Sequence, residues 1–442
     1  MRIEIKDKKK FITMFNELFI KNKINNVNAL SIDSRKIQNG DIFIPIKGKT
    51  FDGHKFISKA FKNGAIKCFS ENKENYENII NIKSSNEIIN ILARSWRKKS
   101  NHVIIGITGS NGKTTAKDLL YFILSKKYNC SKTTGNYNSS IGLPISYLGS
   151  RINNDYCIIE YGASQPGEIE HLCNIVKPNI SLITNISNAH IENYDSIKEI
   201  STTKNAIFRC LESDDTAFIN KDNKYVIESM SNCKKITFSM YNKANYLVEN
   251  YNQTENTLII NGNILEIPEN LLHLKKLILS IYAIAQELGI DHNEIGQTLK
   301  EFKLLEGRGF AINIKGIKII DDSYNANPSS VILAIKRIES IINNGNKIFI
   351  FGDMLELGVE SISEHEKIAE YLNNSNINVV ITYGEYSYNT FTNLNNSITK
   401  KHFTNIDELK KHLKIIIKKG DLIYLKGSRT MKLERIYKAG IA

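Results

Sequence analysis

Residues 106–120, GITGSNGKTTAKDLL, carry residue types at a spacing suited to holding phosphate. Gly109 and Gly112 would let backbone N–H groups approach anionic oxygens, and a helix starting just beyond them would add partial positive charge. Lys113 would bring a full charge to the β and γ phosphates, and Thr114 a hydroxyl for Mg²⁺. Ser110, Asn111 and Thr115 complete the loop. A strict Walker A motif needs glycine five residues before Gly112; that position is Ile107, so the loop is a shorter variant. The plainer alternative is a strand-to-helix turn containing a chance Gly-Lys-Thr. The flanks bear on the choice. His102–Thr108 is apolar and β-branched and predicts a buried strand. Leu119, Leu120, Ile123 and Leu124 recur near helical spacing and predict a helix from Thr114 to about Lys127.

If the loop cradles ATP, a metal must neutralise the phosphates and needs oxygen ligands. Glu160 ends the next predicted apolar strand, in DYCIIEYG, and is placed for this; a surface carboxylate beside a turn is the alternative. His190, in TNISNAHIE, lies just beyond another strand end. Imidazole is an ordinary ligand of transition metals but unusual for Mg²⁺, so taken alone His190 reads more readily as structural. The same pattern recurs at Asn185, at Asp321 and Asp322, and at Asp353. Ligands of open α/β sheets bind at the carboxyl ends of strands, although plain turn chemistry also puts polar residues there.

The elements that must position these groups alternate strand and helix, which predicts parallel sheets. The expected fold class is α/β in three domains. Residues 1–98 form a small α/β domain, 99–306 a central phosphate-loop domain and 307–442 a Rossmann-like domain. A chain of 442 residues has ample core for that division. No apolar run reaches about 18 residues, so no membrane span is expected, and MRIEIKDKKK lacks the apolar segment of a signal peptide. Six cysteines without Cys-x-x-Cys spacing read as reduced thiols of a cytoplasmic protein. The net charge of +13 admits nucleic-acid binding. The lysines do not gather into one long tract, however, so a solvated basic surface is the favoured reading. A basic protein also suits small polyanions such as nucleotides.

In order, GITGSNGKTT, TTGNYNSSIGLP, EYGASQPGEI, TNISNAHIE, GRGF, DDSYNANPSS, FGDMLELG and LKGSR resemble the Mur ligase superfamily. SIDSR and DGHKF near the N-terminus fit it too, so the resemblance spans essentially the whole chain. DDSYNANP and GDMLELG point within it to the branch that adds D-alanyl-D-alanine to UDP-N-acetylmuramoyl-tripeptide in peptidoglycan synthesis. The resemblance implies a UDP-binding N-terminal domain, a central ATPase and a C-terminal domain that closes over ATP. It implies ATP and Mg²⁺ as cofactors, an acyl-phosphate route to the amide, no nucleic-acid partner and a monomer. It implies that Lys113 and the Gly109–Thr115 backbone hold phosphates, and that Thr114, Glu160 and His190 surround the metal. Lys204, in STTKNAIF, matches a lysine that is carbamylated in the family and so also serves the metal site; unmodified, it would be an ordinary lysine. Arg308 and Asp322 match nucleotide contacts from the C-terminal side. Ser34, Arg35, Asp52, Gly53 and His54 lie where the UDP-sugar is held, and Asn136 and Asn138 fall on the substrate side.

The chain departs from the family pattern at Leu274 and Leu277, which follow His273 where asparagines usually stand near adenine, and at Ala206 and Ser139. These predict an active enzyme with weaker nucleotide affinity. Another Mur ligase activity or a folylpolyglutamate synthetase is the nearer alternative. A non-catalytic nucleotide or nucleic-acid binder is the remote one.

Overall fold

The structure is a computed structural model that describes residues 1–48, 50–73, 76–188, 191–226, 232–438 and 440. It forms three α/β domains, each built on its own sheet.

The first sheet comprises β1 (Arg2–Glu4), β2 (Ala29–Ser31), β3 (Asp41–Phe43), β4 (Ala65–Ser70) and β5 (Ile79–Asn81) in chain order, parallel except for β1. Helices α1 (Lys8–Leu18), α2 (Ile57–Lys62) and α3 (Ser85–Lys99) accompany it. The buried face of α3 places Trp96 in a core that also contains Phe11, Phe15, Leu143 and Tyr147, so the first domain is bonded to the second through shared apolar packing. The Trp96 indole N–H donates to the Ser150 carbonyl at 3.2 Å.

The central domain runs β6 (Val103–Thr108), α4 (Lys113–Leu124), β7 (Cys130–Lys132), α5 (Gly142–Tyr147), β8 (Tyr156–Glu160), α6 (Glu168–Ile175), β9 (Ile180–Ile183) and α7 (Ile197–Arg209). It continues with β10 (Thr216–Asn220), β11 (Lys234–Ser239), β12 (Tyr246–Asn252), β13 (Thr257–Ile260), β14 (Asn263–Glu266), α8 (Lys275–Glu287) and α9 (His292–Glu301). The sheet order is β14-β13-β12-β11-β10-β9-β6-β8-β7. It is parallel from β7 to β12, as the strand–helix alternation predicts, and then turns antiparallel through β13 and β14. Those last strands follow one another through tight turns with no room for a crossover helix, so only an antiparallel return is open to them. Because β6 lies between β9 and β8, the chain leaving β6 is flanked by Glu160 on one side and Thr184 and Asn185 on the other.

The third domain comprises β15 (Phe310–Ile314), β16 (Ile317–Asp322), α10 (Pro328–Ser340), β17 (Lys347–Gly352), α11 (Ser361–Asn373), β18 (Val379–Tyr383), α12 (Ser387–Asn393), β19 (Thr399–Phe403), α13 (Ile406–Ile416), β20 (Leu422–Lys426) and α14 (Arg435–Lys438). Its sheet order is β15-β16-β20-β17-β18-β19, parallel except for the edge strand β15. Both faces are covered by apolar layers, as buried parallel strands require. No helix among the described residues is long and apolar enough to cross a membrane.

Candidate active site

The loop between β6 and α4 has the conformation that phosphate binding needs. Gly112 sits at the N-cap of α4 with φ +81°, and no side chain caps the first-turn N–H groups. Those donors and the helix dipole therefore face outward together. At Gly109, φ is +144°, and a Cβ there would stand 2.0 Å from Thr184 Oγ1, which excludes every other residue. The loop is anchored from the end of β9. The Thr184 hydroxyl donates to the Asn111 carbonyl at 2.6 Å, and the Asn185 amide both donates to that carbonyl at 3.1 Å and accepts from the Asn111 N–H at 3.2 Å.

Lys113 folds back over this loop, and its ammonium donates to the carbonyls of Gly109 at 2.8 Å and Ser110 at 3.2 Å. Burial lowers its pKa, Glu160 opposes the shift and Arg308 adds to it. At the second residue of α4 the environment becomes charged and closed. Thr114 donates its hydroxyl to Glu160 Oε2 at 2.9 Å, Asn138 donates to Glu160 Oε1 at 2.6 Å, and Arg308 donates to Thr114 Oγ1 at 3.1 Å. Arg308 comes from the third domain, stacks 3.5 Å from the centroid of the Tyr324 ring, and has its pKa lowered by burial. The phosphate loop, the strand-end carboxylate and the C-terminal arginine predicted from sequence are thus in direct contact.

Oxygen donors dominate this point. Two neighbouring ligands of an octahedral Mg²⁺ at about 2.1 Å stand about 2.9 Å apart, which is the Thr114–Glu160 separation. Among the described residues no three His, Cys, Asp or Glu side chains form a metal cage. One carboxylate and one hydroxyl, completed by phosphates and water, is how Mg²⁺ is usually held. His190 lies outside the described residues. Its neighbour Ile191 packs against the apolar core of the third domain, and Gly358 there approaches Glu192 so closely that a Cβ would lie 3.0 Å from the Glu192 Cβ.

Lys204 is 1 % exposed on α7, and its pKa is lowered to about 7 by burial and by the charge of Lys113, against the pull of Glu168. Asp322 pairs with Lys426 at 2.9 Å across the β16–β20 register, so its contact is within the third domain. Asp353 serves turn chemistry: its carboxylate accepts the N–H groups of Glu385 at 2.9 Å and Ser387 at 2.8 Å. Asn136 is exposed near Asn138. In the first domain, Asp52 caps a short 3₁₀ turn over Gly53–Phe56 and bonds His54 Nδ1 at 2.7 Å, while His54 Nε2 accepts the Glu71 N–H at 3.1 Å. Arg35 is exposed and paired with Asp33 at 2.9 Å, and Ser34 is buried. Among the described residues no hydrogen bond joins this set to the phosphate loop.

Three side chains enter the site without having been singled out from the sequence. Lys117 is 1 % exposed, donates to the Gly135 carbonyl at 2.6 Å and stands 3.8 Å from Glu160 Oε2. Its signal was positional: it lies four residues after Lys113 and thus on the same helix face. Tyr324 and Lys426 belong to recognised motifs, but their partners come from distant parts of the sheet. Leu277 Cδ1 lies 3.5 Å from where a Gly112 Cβ would be, so an apolar side chain covers the loop there.

Family models describe consecutive parts of the chain: a Mur ligase family catalytic domain over residues 26–99, a Mur ligase middle domain over 107–296 and a Mur ligase glutamate ligase domain over 307–429. The chain belongs to the Mur ligase family. Curated Mur ligases resemble it over nearly their full length. The UDP-N-acetylmuramoyl-tripeptide–D-alanyl-D-alanine ligase of Rickettsia prowazekii is 32% identical over 426 residues, covering 93% of this chain and 94% of that one. Its counterpart in Buchnera aphidicola subsp. Baizongia pistaciae is 34% identical, covering 93% and 91%. Among solved structures, the MurF ligase of Thermotoga maritima in complex with ADP aligns at TM-score 0.80 and 27% identity, covering 93% and 96%. MurF from Acinetobacter baumannii aligns at TM-score 0.86, 24% identity and 97% and 98% coverage, a likeness of Mur ligase fold.

Proposed function

We infer that this Mur ligase joins D-alanyl-D-alanine to UDP-N-acetylmuramoyl-tripeptide at the expense of ATP, in peptidoglycan precursor synthesis. The observation that carries the reading is the meeting of Lys113, Thr114, Glu160 and Arg308 at one phosphate loop, in a chain aligned end to end with relatives of that activity.

The residues support a consistent division of labour. A carboxylate is a poor electrophile until phosphorylation gives it a leaving group. Bringing it to a γ-phosphate sets two anions together, so cations must lie between them. The loop N–H groups and Lys113 hold the phosphates. Arg308 reaches in from the third domain to the Thr114 hydroxyl beside the loop, and its stacking on Tyr324 fixes the guanidinium plane. Thr114 and Glu160 are the groups that would hold Mg²⁺, with His190 and a carbamylated Lys204 as further ligands; the ion supplies charge neutralisation at the phosphates. Asn138 and Lys117 orient Glu160 from behind. The amine of D-alanyl-D-alanine attacks the acyl phosphate, and the tetrahedral adduct collapses to the amide and phosphate. Closure of the third domain over the loop excludes water from the acyl phosphate.

The remaining assignments belong to the same reading. Ser34, Arg35, Asp52, Gly53 and His54 hold the UDP-sugar, Asn136 and Asn138 lie on the substrate side, Asp322 contacts nucleotide, and the domains divide at residues 98 and 306. The enzyme is a cytoplasmic monomer; the absence of disulfides among its described cysteines supports the reducing compartment. The test is phosphate release by purified protein. It should require ATP, Mg²⁺, UDP-N-acetylmuramoyl-tripeptide and D-alanyl-D-alanine together; release on glutamate and a folate, or on DNA, would replace the reading with one of its alternatives.

A further inference from the structure

The tip of the phosphate loop is held from two domains. Its main chain is fixed by Thr184 and Asn185 at the end of β9. Its side chain, that of Asn111, is held from the third domain. Asn327 Nδ2 donates to Asn111 Oδ1 at 2.8 Å, and Asn111 Nδ2 donates to Ser329 Oγ at 3.0 Å and to Ser187 Oγ at 3.3 Å. Ser187 and Ser329 share a hydrogen bond at 3.1 Å that closes the ring. Asn327 uses its other amide atom differently: Oδ1 accepts the Ser330 N–H at 2.9 Å and the Ser329 hydroxyl at 2.9 Å, as the N-cap of α10. One side chain thus starts a helix of the third domain with its oxygen and grips the phosphate loop with its nitrogen.

We propose that Asn327 is a positioning residue that couples closure of the third domain to the conformation of the phosphate loop through Asn111. Bonds spanning 216 and 218 residues of sequence exist only when the two domains are together. Forming them fixes the Asn111 side chain and, through its anchored main chain, the neighbouring Gly112 and Lys113. Opening the domains releases that restraint. The loop therefore reaches its working geometry when Arg308 also arrives, and phosphate transfer is tied to the closed, water-excluding state. This rests on the ATP-dependent ligase activity above and adds the residue pair that links closure to the loop.

The test separates the two jobs of Asn327. In Asn327→Ser a hydroxyl replaces the amide oxygen as a helix cap, a substitution that caps well, but the side chain is too short to reach Asn111. The expected result is a fall of about fivefold or more in kcat, the scale of one lost neutral hydrogen bond in the reacting arrangement. The melting temperature should stay that of the wild type. Asn111→Ala introduced into Asn327→Ser should then cost less than it does in the wild type, by the share of the Asn327–Asn111 bond that both changes remove; the Asn111 bonds to Ser329 and Ser187 are lost in either background. A smaller fall in kcat, a fall matched by a lower melting temperature, or effects of the two substitutions that multiply independently would each overturn the proposal. Wild-type protein assayed beside the variants keeps the questions apart: an inactive wild type would count against the ligase reading itself.

Discussion

Lys204 is a lysine buried at the cost of stability, and removing its charge should make the protein harder to unfold while stopping catalysis. It is 1 % exposed, and burial together with Lys113 lowers its pKa from 10.5 to about 7. At about 1.4 kcal/mol for each tenfold change in the proton equilibrium, that drop makes charging the amine inside the fold cost about 5 kcal/mol. Relaxation and water entry on charging reduce the figure, so Lys204→Met should stabilise the metal-free protein by roughly 2–3 kcal/mol at pH 6, where the wild-type amine is charged. For a domain of about 200 residues this corresponds to an increase of roughly 5–10 °C in melting temperature.

The pH dependence has a definite sign. Between about pH 7 and 10 the unfolded chain keeps the lysine proton and the folded chain has lost it, so raising the pH favours the fold. Below pH 7 both states hold the proton and this contribution is flat. Calorimetric melts in bicarbonate-free buffer should therefore show the wild type gaining on Lys204→Met as pH rises from 7 to 10. A neutral amine near pH 7 is also the form that adds CO₂, with loss of its proton, so the wild type but not the variant should gain ligase activity with added bicarbonate. If Lys204→Met melts at or below the wild-type temperature at pH 6, the buried charge is not strained and the reasoning fails.

Other substitutions probe the remaining parts. Lys113→Ala removes the ammonium that now lies on the Gly109 and Ser110 carbonyls and should lower kcat/KM by about 100- to 1000-fold, the range for losing one preorganised electrostatic contact; phosphate release measures it. Glu160→Gln keeps the shape and, at its amide oxygen, the bond from Asn138, while the Thr114 hydroxyl must turn to accept; the charge is lost, so the Mg²⁺ concentration needed for half-maximal activity should rise at least tenfold while the fold, read by circular dichroism, holds. Ile191→Ala withdraws an apolar side chain from the third-domain core; at about 1 kcal/mol of lost burial it should lower kcat/KM by roughly fivefold and increase the angular spread of the domains seen by small-angle scattering.

The phosphate loop, its flanking strand and helix, and the strand-end glutamate were readable from sequence because each is a local rule. Glycine permits φ near +81° at the start of α4, and β-branched runs make strands. Glu160 could be placed because its strand proved to be the neighbour of β6. What could not be read was pairing across the fold. Asp321, Asp322 and Asp353 share the strand-end pattern of Glu160, yet Asp322 pairs with Lys426, Asp353 caps a turn, and Asp321 accepts the Tyr437 hydroxyl at 2.9 Å. Their sequence surroundings look alike; sheet order decides which partner each one meets. The antiparallel β12–β14 segment escaped for a different reason, since strand–helix alternation says nothing about a stretch without helices.

Cationic residues around Glu160 explain why this site must close rather than stand open. Lys113, Lys117 and Arg308 all influence the same carboxylate, and burial lowers the pKa of each. Three cations near one another repel; Glu160 and Asp118, each 3.8 Å from the Lys117 ammonium, offset part of that, but Asp118 is also paired with Lys132, so positive charge remains in excess. The nucleotide phosphates supply the missing negative charge, so ATP binding relieves a repulsion that the free protein carries. Arg308 belongs to the third domain, whereas both lysines belong to α4. The relief is therefore greatest when the domains are closed and smallest when Arg308 is withdrawn. Phosphate binding and domain closure must then strengthen each other by the same free energy. An Arg308→Gln variant, which lacks the third charge, should accordingly bind ATP with less dependence on ionic strength and show a smaller closure on binding it.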